Sequence, residues 1–544
     1  MKNLNFKEIL KEDILKSLNK LNLEKTKEEI IIEIPKTPIN GNYSTNIALA
    51  LASELKKSSR EIANAIKMNF SSNIISKVEV AGPGFINFFI NKECLYDVLN
   101  EILDKKKNYG KSNIGQNKKI NIEYVSVNPT GIMHVGHGRG AAYGDNLSRI
   151  LSFTGYDVTR EYFINDAGNQ MNNLGISIKE RYKELLGFPF DLPEDGYHGK
   201  EIITIAEEIK NKYHDQKLDS QVEFFKQYGL EYLLKQIKID LDKYRVNFDV
   251  WTSEQTLYDE GLIENIMVKL RKSGDCYIKE DALWLNTAKY GDEKDRVLVK
   301  SDGNYTYLVP DIAYHSNKFE RNFDECIDVF GADHHGYVSR LKIALEILGY
   351  DTNKLDIKIL QMVRIIKDGK ELKLSKRTGQ TITLNDLIDE AGINATRYFF
   401  ASKSIDTQMD FNLDLAIKQT NENPVYYIEY ANARITKILN KYHKYDLVGK
   451  KNYMYLDEEL TYNILNKLYE FKDVVENASK KRIPHLITNY VYELAGSLHN
   501  YYSNIQIITE NEEETLEHLL LINAIKIVIN NSLNLLGIIP REEM

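Results

Sequence analysis

The passage from the apolar run 120–127 (Ile-Asn-Ile-Glu-Tyr-Val-Ser-Val) into Asn128-Pro-Thr-Gly-Ile-Met-His134-Val-Gly136-His137-Gly-Arg-Gly140 constrains this chain more than any other feature. A strand-like run ends, glycines and histidines mark a turn, and helical periodicity begins at once. A junction of this kind belongs to a parallel α/β sheet, where ligands lie outside the carboxyl ends of the strands. The start of the helix also offers unpaired N–H groups and positive dipole character to phosphate.

The spacing predicts three regions. Residues 1–110 read as a small α+β unit, with a helix over 6–21, a β-run at 29–34, a helix over 47–55 and a strand pair around 81–89. The charged stretch 104–111 reads as a linker. Residues 118–420 read as a parallel α/β domain, with strands at 120–127, 158–164 and 326–330. A largely helical, charged insertion falls at about 169–290, and a hairpin joins 296–300 to 305–308 through an Asp302-Gly303 turn. A lysine-rich loop occupies 370–385. Residues 421–544 keep helical periodicity throughout and read as an all-helical bundle, ending at Gly537 and Pro540.

Composition excludes several classes. At 544 residues the chain is too long for one core. The profile, 43% hydrophobic and 28% charged, is that of a soluble globular protein. The N-terminus alternates charge with apolar residues and lacks the apolar core of a secretory signal. The most apolar long segment, 519–539, carries Lys526 and four asparagines, which argues against a membrane span. Cys94, Cys276 and Cys326 are scattered without a C-x-x-C pair, so neither a disulfide framework nor a thiolate zinc site is expected, and a reducing cytoplasm fits. The net charge of −8 does not exclude RNA, because only a local basic face is needed.

Two elements carry chemistry. His134 and His137 stand at i, i+3 on the first helical turn. They suit metal ligation, but H-E-x-x-H and a third ligand are missing. They also suit hydrogen bonding to phosphate oxygens, with Gly136 letting a ring approach the backbone. Gly136, Gly138 and Ala141 form only a degenerate dinucleotide fingerprint. Downstream, Lys373-Leu-Ser375-Lys376-Arg377 reads either as a solvated basic loop or as a segment that closes over a triphosphate, with Lys376 neutralising the leaving pyrophosphate.

Taken together, H-x-G-H at 134–137 and K-x-S-K-R at 373–377 resemble the two hallmarks of class I aminoacyl-tRNA synthetases. The chain is similar to the bacterial arginyl-tRNA synthetases in further stretches, in order: Asn42-Tyr-Ser-Thr-Asn46, Ala81-Gly-Pro-Gly-Phe85, Asn128-Pro-Thr-Gly131, Phe163-Ile-Asn-Asp-Ala-Gly-Asn-Gln170, Gly331-Ala-Asp-His-His-Gly-Tyr337 and Tyr430-Ala-Asn-Ala-Arg434. The resemblance implies a Rossmann-like catalytic domain between an N-terminal α+β domain and a helical anticodon-binding domain. It implies ATP and L-arginine as substrates, Mg²⁺ bound with the ATP, tRNA(Arg) as partner, and a monomer. By resemblance, His134, Gly136, His137, His334, Lys373, Ser375 and Lys376 serve ATP and catalysis. Glu123, Asn128, Tyr307, Asp311 and Asp333 serve the arginine pocket. Asn46, Tyr427, Tyr430, Arg434 and Tyr502 face tRNA, where bases lie on aromatic rings. A guanidinium wants carboxylates in planar register, which suits Glu123 and Asp311. The rival readings are a synthetase for another amino acid, a nucleotidylyltransferase sharing the histidine motif, and a non-catalytic tRNA-binding relative.

Overall fold

In a computed structural model, residues 5–35, 40–334, 336–372 and 382–544 are described. The N-terminal unit packs α1 (Phe6–Lys20), α2 (Ile47–Leu55) and α3 (Ser59–Asn69) against a sheet of β1 (Tyr43–Thr45), β2 (Ile75–Ala81) and β3 (Phe85–Ile90), in the order β1-β3-β2. The strand expected at 29–34 does not form. Only Glu33 exchanges backbone hydrogen bonds with Ser44, at 2.8 Å each, because the three-residue β1 offers no longer edge. The stretch expected as a linker is instead the end of α4 (Lys92–Lys105) and a tight turn. Tyr109 is then buried beside Phe471, ring centroids 6.1 Å apart, so apolar packing overrides the local charge.

The central sheet is parallel. It contains β4 (Lys119–Glu123), β5 (Asp157–Ile164), β6 (Val250–Ser253), β10 (Glu325–Gly331) and β11 (Leu355–Leu360), ordered β11-β10-β4-β5-β6. The strand order reverses between β4 and β10, and the crevice at their carboxyl ends is where such a sheet binds ligands. Between β4 and β5 runs α5 (Val135–Phe153). The run 120–127 leaves the sheet early, because Val125 (φ 70°) and Ser126 (φ 37°) adopt the left-handed conformation. For a β-branched valine that strain costs about 1–3 kcal/mol.

The insertion is largely helical, as expected, with three short strands among its helices. Helices α6 (Asn169–Leu185), α7 (Lys200–Tyr213) and α8 (Val222–Lys243) build a small core of their own around Tyr182 and Phe225. The chain then returns to the main sheet at β6. After α9 (Glu254–Asp259) and α10 (Leu262–Lys272), β7 (Cys276–Lys279), β8 (Ala282–Leu285) and β9 (Arg296–Val299) form an antiparallel sheet. The hairpin expected over 296–308 forms only as a short one: the Lys300 N–H donates to the Asn304 carbonyl and the Thr306 N–H to the Leu298 carbonyl, each at 2.9 Å, across the Asp302-Gly303 turn. β9 pairs with β8, Tyr305 makes a single bridge to Val299, and Leu308 already starts α11 (Leu308–Glu320). Helix α12 (Tyr337–Ile347) follows β10. Beyond β11, a small sheet of β12 (Val363–Lys367), β13 (Lys370–Glu371) and β14 (Met409–Asn412) surrounds α13 (Leu384–Ala391) and α14 (Ile393–Ala401), and α15 (Leu413–Ile417) leads on.

The last region is helical, as its periodicity predicts: α16 (Pro424–Lys441), α17 (Glu459–Lys481), α18 (His485–Asn504) and α19 (Glu512–Leu535). These helices pack on both α4 and α5, so one continuous apolar cluster runs from Phe6 to Ile538. Buried Arg397 on α14 ties the regions together. It donates to Asp145 and Asn146 of α5, to the Tyr244 carbonyl at 2.9 Å and to the Leu536 carbonyl at 2.8 Å. Helix α5 lies on Tyr124 so closely that a Cβ at Gly144 would stand 2.1 Å from its ring. Gly144→Ala is therefore expected to cost about 1–3 kcal/mol through overpacking, read as a lower calorimetric melting midpoint.

Candidate active site

Glu123 sits at the carboxyl end of the central strand, and register aligns it with Glu161 on β5 and with Asp328 on β10. Three carboxylates thus lie side by side across the sheet. They are buried, with exposures of 6%, 0% and 0%, so Glu123 is not an edge residue facing water. Helix α11 supplies the cations. Lys318 Nζ donates to Glu123 and, at 2.7 Å, to Asp328. Arg321 reaches both oxygens of Glu161 at 3.0 and 2.8 Å. His315 Nε2 lies 2.8 Å from Asp328.

The electrostatics follow from this pairing. Burial alone would raise the Asp328 carboxyl, but Lys318 and His315 outweigh it and hold the group low. Burial would likewise lower Lys318, yet Asp328 and Glu123 push it well up. The same acid raises His315 against its own desolvation. Ser126, in its strained turn, donates to Glu123 Oε1 at 3.0 Å and accepts from the Phe163 N–H at 3.1 Å.

Above this row opens a cleft of about 870 Å³ at the switch point. Six residues expected from the sequence line it together: Glu123, Asn128, Tyr307, Asp311, Asp333 and His334. Asn128 is fixed by Gln170 at 2.9 Å, and Asp311 accepts from the Tyr337 hydroxyl. Burial raises the Asp311 carboxyl above the usual range. Tyr307 is 72% exposed, a ring at the rim with room to cover a ligand.

His134, Gly136 and His137 do not line that cleft but stand at the start of α5. His134 caps the helix, its Nδ1 accepting from the Gly136 N–H at 3.1 Å, while His137 Nδ1 accepts from the His134 N–H at 3.2 Å. The two rings stack with centroids 3.5 Å apart. Gly136 is needed beside them, since a Cβ there would meet the His134 ring at 3.0 Å. Lys373, Ser375, Lys376 and Arg377 lie outside the described residues, as does His335. Just beyond that segment, Thr383 pairs with His134, and the Leu384 N–H donates to the Met133 carbonyl at 2.9 Å.

On the helical region, the Arg434 guanidinium lies 3.2 Å from the centroid of the Tyr502 ring. Tyr430 and Tyr427 continue the surface beside it, 5.8 and 4.3 Å from His499. Asn46 belongs to the N-terminal unit, where it precedes α2 and makes no side-chain cap. Sequence reasoning missed Glu161, His315, Lys318, Asp328 and Glu254 around the cleft, and Tyr492 and His499 on the helices. A signal existed for part of the first set: Asp311, His315 and Lys318 recur at i, i+4 and i+7 on one face of a helix.

Comparison with known proteins agrees with this layout. The family model "tRNA synthetases class I (R), catalytic domain" matches residues 98–456. "DALR anticodon binding domain" matches 428–544 and "Arginyl tRNA synthetase N terminal domain" matches 8–90. The chain is 45% identical to arginine–tRNA ligase of Bacillus subtilis, over 99% of each chain. A Campylobacter jejuni structure described as a putative arginyl-tRNA synthetase superposes with TM-score 0.78 at 34% identity, covering 84% of this chain and 100% of that one. The Thermus thermophilus arginyl-tRNA synthetase shares the fold, with TM-score 0.76 at 21% identity over 98% of this chain and 99% of that one.

Removing Lys318 would leave Glu123 and Asp328 buried as neighbouring charges. Lys318→Met is expected to destabilise the fold by about 3–5 kcal/mol, measurable as a lower melting midpoint.

Proposed function

This chain belongs to the arginine–tRNA ligase family of class I tRNA synthetases, and on that premise we propose how its residues join L-arginine to tRNA(Arg) with ATP. The observation that carries the reading is the acid-lined cleft at the switch point, a few residues from the stacked histidines of α5. Arginine occupies the cleft, its guanidinium toward Asp311 and Glu123, with Tyr307 over it and Asn128 and Asp333 at its polar end. Because Lys318 already matches Glu123, that residue serves as a hydrogen-bond acceptor more than as a net charge.

ATP lies toward the start of α5, where His134, Gly136 and His137 meet it, with His334 reaching it from the cleft. An arginine carboxylate oxygen attacks the α-phosphorus in line, and the bond to the bridging oxygen breaks. Pyrophosphate leaves with that electron pair, and its growing charge is met by the two histidines and by Lys373, Ser375 and Lys376. The pairing of Thr383 with His134 supports this, since it brings the chain just after those lysines beside the histidine. A terminal ribose hydroxyl of tRNA then attacks the acyl carbon, loses its proton, and AMP departs.

Mg²⁺ accompanies the ATP phosphates in this reading. Among the described residues, the acid–histidine group with metal-like spacing is Glu123, His315 and Asp328, and Lys318 already spans two of its members. No step is therefore assigned to a protein-held cation. Tyr427, Tyr430, Arg434 and Tyr502 offer stacking faces to unpaired anticodon bases, and Asn46 meets the outer corner of the tRNA. A monomer suffices, since every proposed residue comes from one chain, and the free cysteines suit a reducing cytoplasm. Among the described residues no helix is long and apolar enough to cross a membrane.

Arginine-dependent ATP–pyrophosphate exchange, run with and without tRNA(Arg), tests this directly. Exchange with another amino acid instead would move the substrate while sparing the class, and tRNA binding without any exchange would favour a non-catalytic relative. His137→Ala is expected to lower exchange by roughly 100-fold to 1000-fold with tRNA affinity nearly unchanged. Arg434→Ala is expected to do the converse, weakening tRNA binding by about tenfold in a filter assay while arginine and ATP affinities hold.

A further inference from the structure

Arg139 stands two residues beyond His137 on α5, about 200° further round the helix, so its side chain leaves on the side away from that histidine. It is only 1% exposed. Burial pulls its pKa down to about 10, which leaves it charged at neutral pH. Among the described residues it forms no ion pair, and Asp406, the acid that acts on it, is exposed. A buried charge without a paired one is costly, and an apolar side chain would fill the place without that cost. What the guanidinium supplies instead is a planar fork. Its Nη1 donates to the Gln361 carbonyl at 2.9 Å and its Nη2 to the Ser404 carbonyl at 2.7 Å.

Those two carbonyls lie at one place in the fold. Gln361 and Met362 join β11 to β12, and Ser404 belongs to the loop from α14 to β14. The Gln361 N–H donates to the Ile405 carbonyl and the Met409 N–H to the Met362 carbonyl, each at 3.0 Å, so Arg139 clasps the root from which β12 and β14 run side by side. The residues on either side of it seat the same module. A Cβ at Gly138 would stand 2.5 Å from Leu384, and one at Gly140 would stand 3.3 Å from Leu360. β12 continues through β13 to Leu372, whose N–H donates back to the Ile365 carbonyl at 2.9 Å, and Lys373 is the next residue in the chain. Beyond the lysine segment, the Leu384 N–H is already bound to the Met133 carbonyl. The chain before Lys373 and the chain after that segment are thus both fastened to the start of α5, the earlier one through Arg139.

Resting on the arginine-activation reading above, we propose that Arg139 is a positioning residue for adenylate formation, holding the β12–β14 sheet, and with it the chain that leads to Lys373, at a fixed place beside His134 and His137. Being buried, it meets no substrate itself. Its effect falls on the step in which pyrophosphate leaves, because only there must the histidines and the lysines act on one phosphate chain together. Arginine binding is spared, since neither Arg139 nor its two partners line the cleft. Transfer of the arginyl group from the adenylate to tRNA is spared too, since pyrophosphate has by then gone.

Kinetics of the full chain separate the two steps. ATP–pyrophosphate exchange in the presence of tRNA(Arg) reads the first, and transfer from added arginyl-adenylate to tRNA reads the second. In Arg139→Met, exchange is expected to slow about 100-fold, with the KM for arginine unchanged and transfer at the parent rate. Arg139→Lys keeps the charge but cannot reach both carbonyls, and its exchange should stay about tenfold or more slow for the lost charged hydrogen bond. Both variants are assayed below their calorimetric melting midpoints, and Arg139→Lys carries the test should Arg139→Met not fold. A merely structural role predicts that exchange and transfer fall together. That result, an unchanged exchange rate in Arg139→Met, or full recovery in Arg139→Lys would overturn the proposal while leaving arginine activation standing. A parent protein that exchanges no pyrophosphate with arginine would overturn the reading beneath it as well.

Discussion

Three carboxylates in one row of a parallel sheet set the terms for everything around them. Adjacent strands lie about 4.8 Å apart, so neighbouring ionised acids repel by roughly 3–4 kcal/mol at an effective dielectric near 20. Glu161, Glu123 and Asp328 can all stay charged only with cations between them, and α11 delivers Lys318, Arg321 and His315 in the spacing of one helical face. That neutralisation docks α11 on the sheet in one rotation. Its first turn then stands over the switch point, with Asp311 lining the cleft and held by Tyr337. The cleft's geometry is thus a consequence of charge balance beneath it.

The same rigidity extends outward along α5. Its N-terminus is fixed by the His134–His137 cap. Its body is gripped by Tyr124 through Gly144, and its length is bound to the helical region through Arg397, through the Tyr143 hydroxyl donating to the Arg482 carbonyl at 2.9 Å, and through Thr154 and Ser479 at 2.8 Å. One helix therefore carries the proposed phosphate-binding histidines at one end and the contact with α17 and α19 of the helical region along its side. The strained Val125–Ser126 turn sits where β4 meets this helix, and Ser126 offsets part of its strain by bonding Glu123 and the Phe163 N–H.

Much of this was legible in the sequence, for physical reasons that also explain what was not. Helix α5 and strands β5 and β10 announce themselves because apolar periodicity and Gly-rich turns are local signals. The six cleft residues were found through motif resemblance, and the fold gathers them because they fall at strand ends, first helical turns or the loop between β4 and α5. The strand expected at 29–34 failed because pairing depends on a partner, and β1 is too short to provide one. Within the insertion, β6 was hidden for a similar reason. Val250–Ser253 is too short for a pattern of its own and becomes a strand by pairing with β5. The Glu161–Glu123–Asp328 row could not be read at all, since register between strands separated by many residues is a tertiary fact.

Selectivity in the proposed pocket rests on the same distinction between matched and unmatched charge. A pocket whose acids were all neutralised internally could shape itself around arginine but would gain little from its positive charge. An acid without an internal cation gains from that charge directly when the guanidinium pairs with it. Of the proposed pocket's acids, Glu123 belongs to the first kind and Asp311, which accepts from the Tyr337 hydroxyl, to the second. Shape and charge are then supplied by different residues on different elements. In the proposed pocket an analogue lacking the guanidinium leaves the half-buried Asp311 without a counter-charge, a rejection that needs no separate editing step.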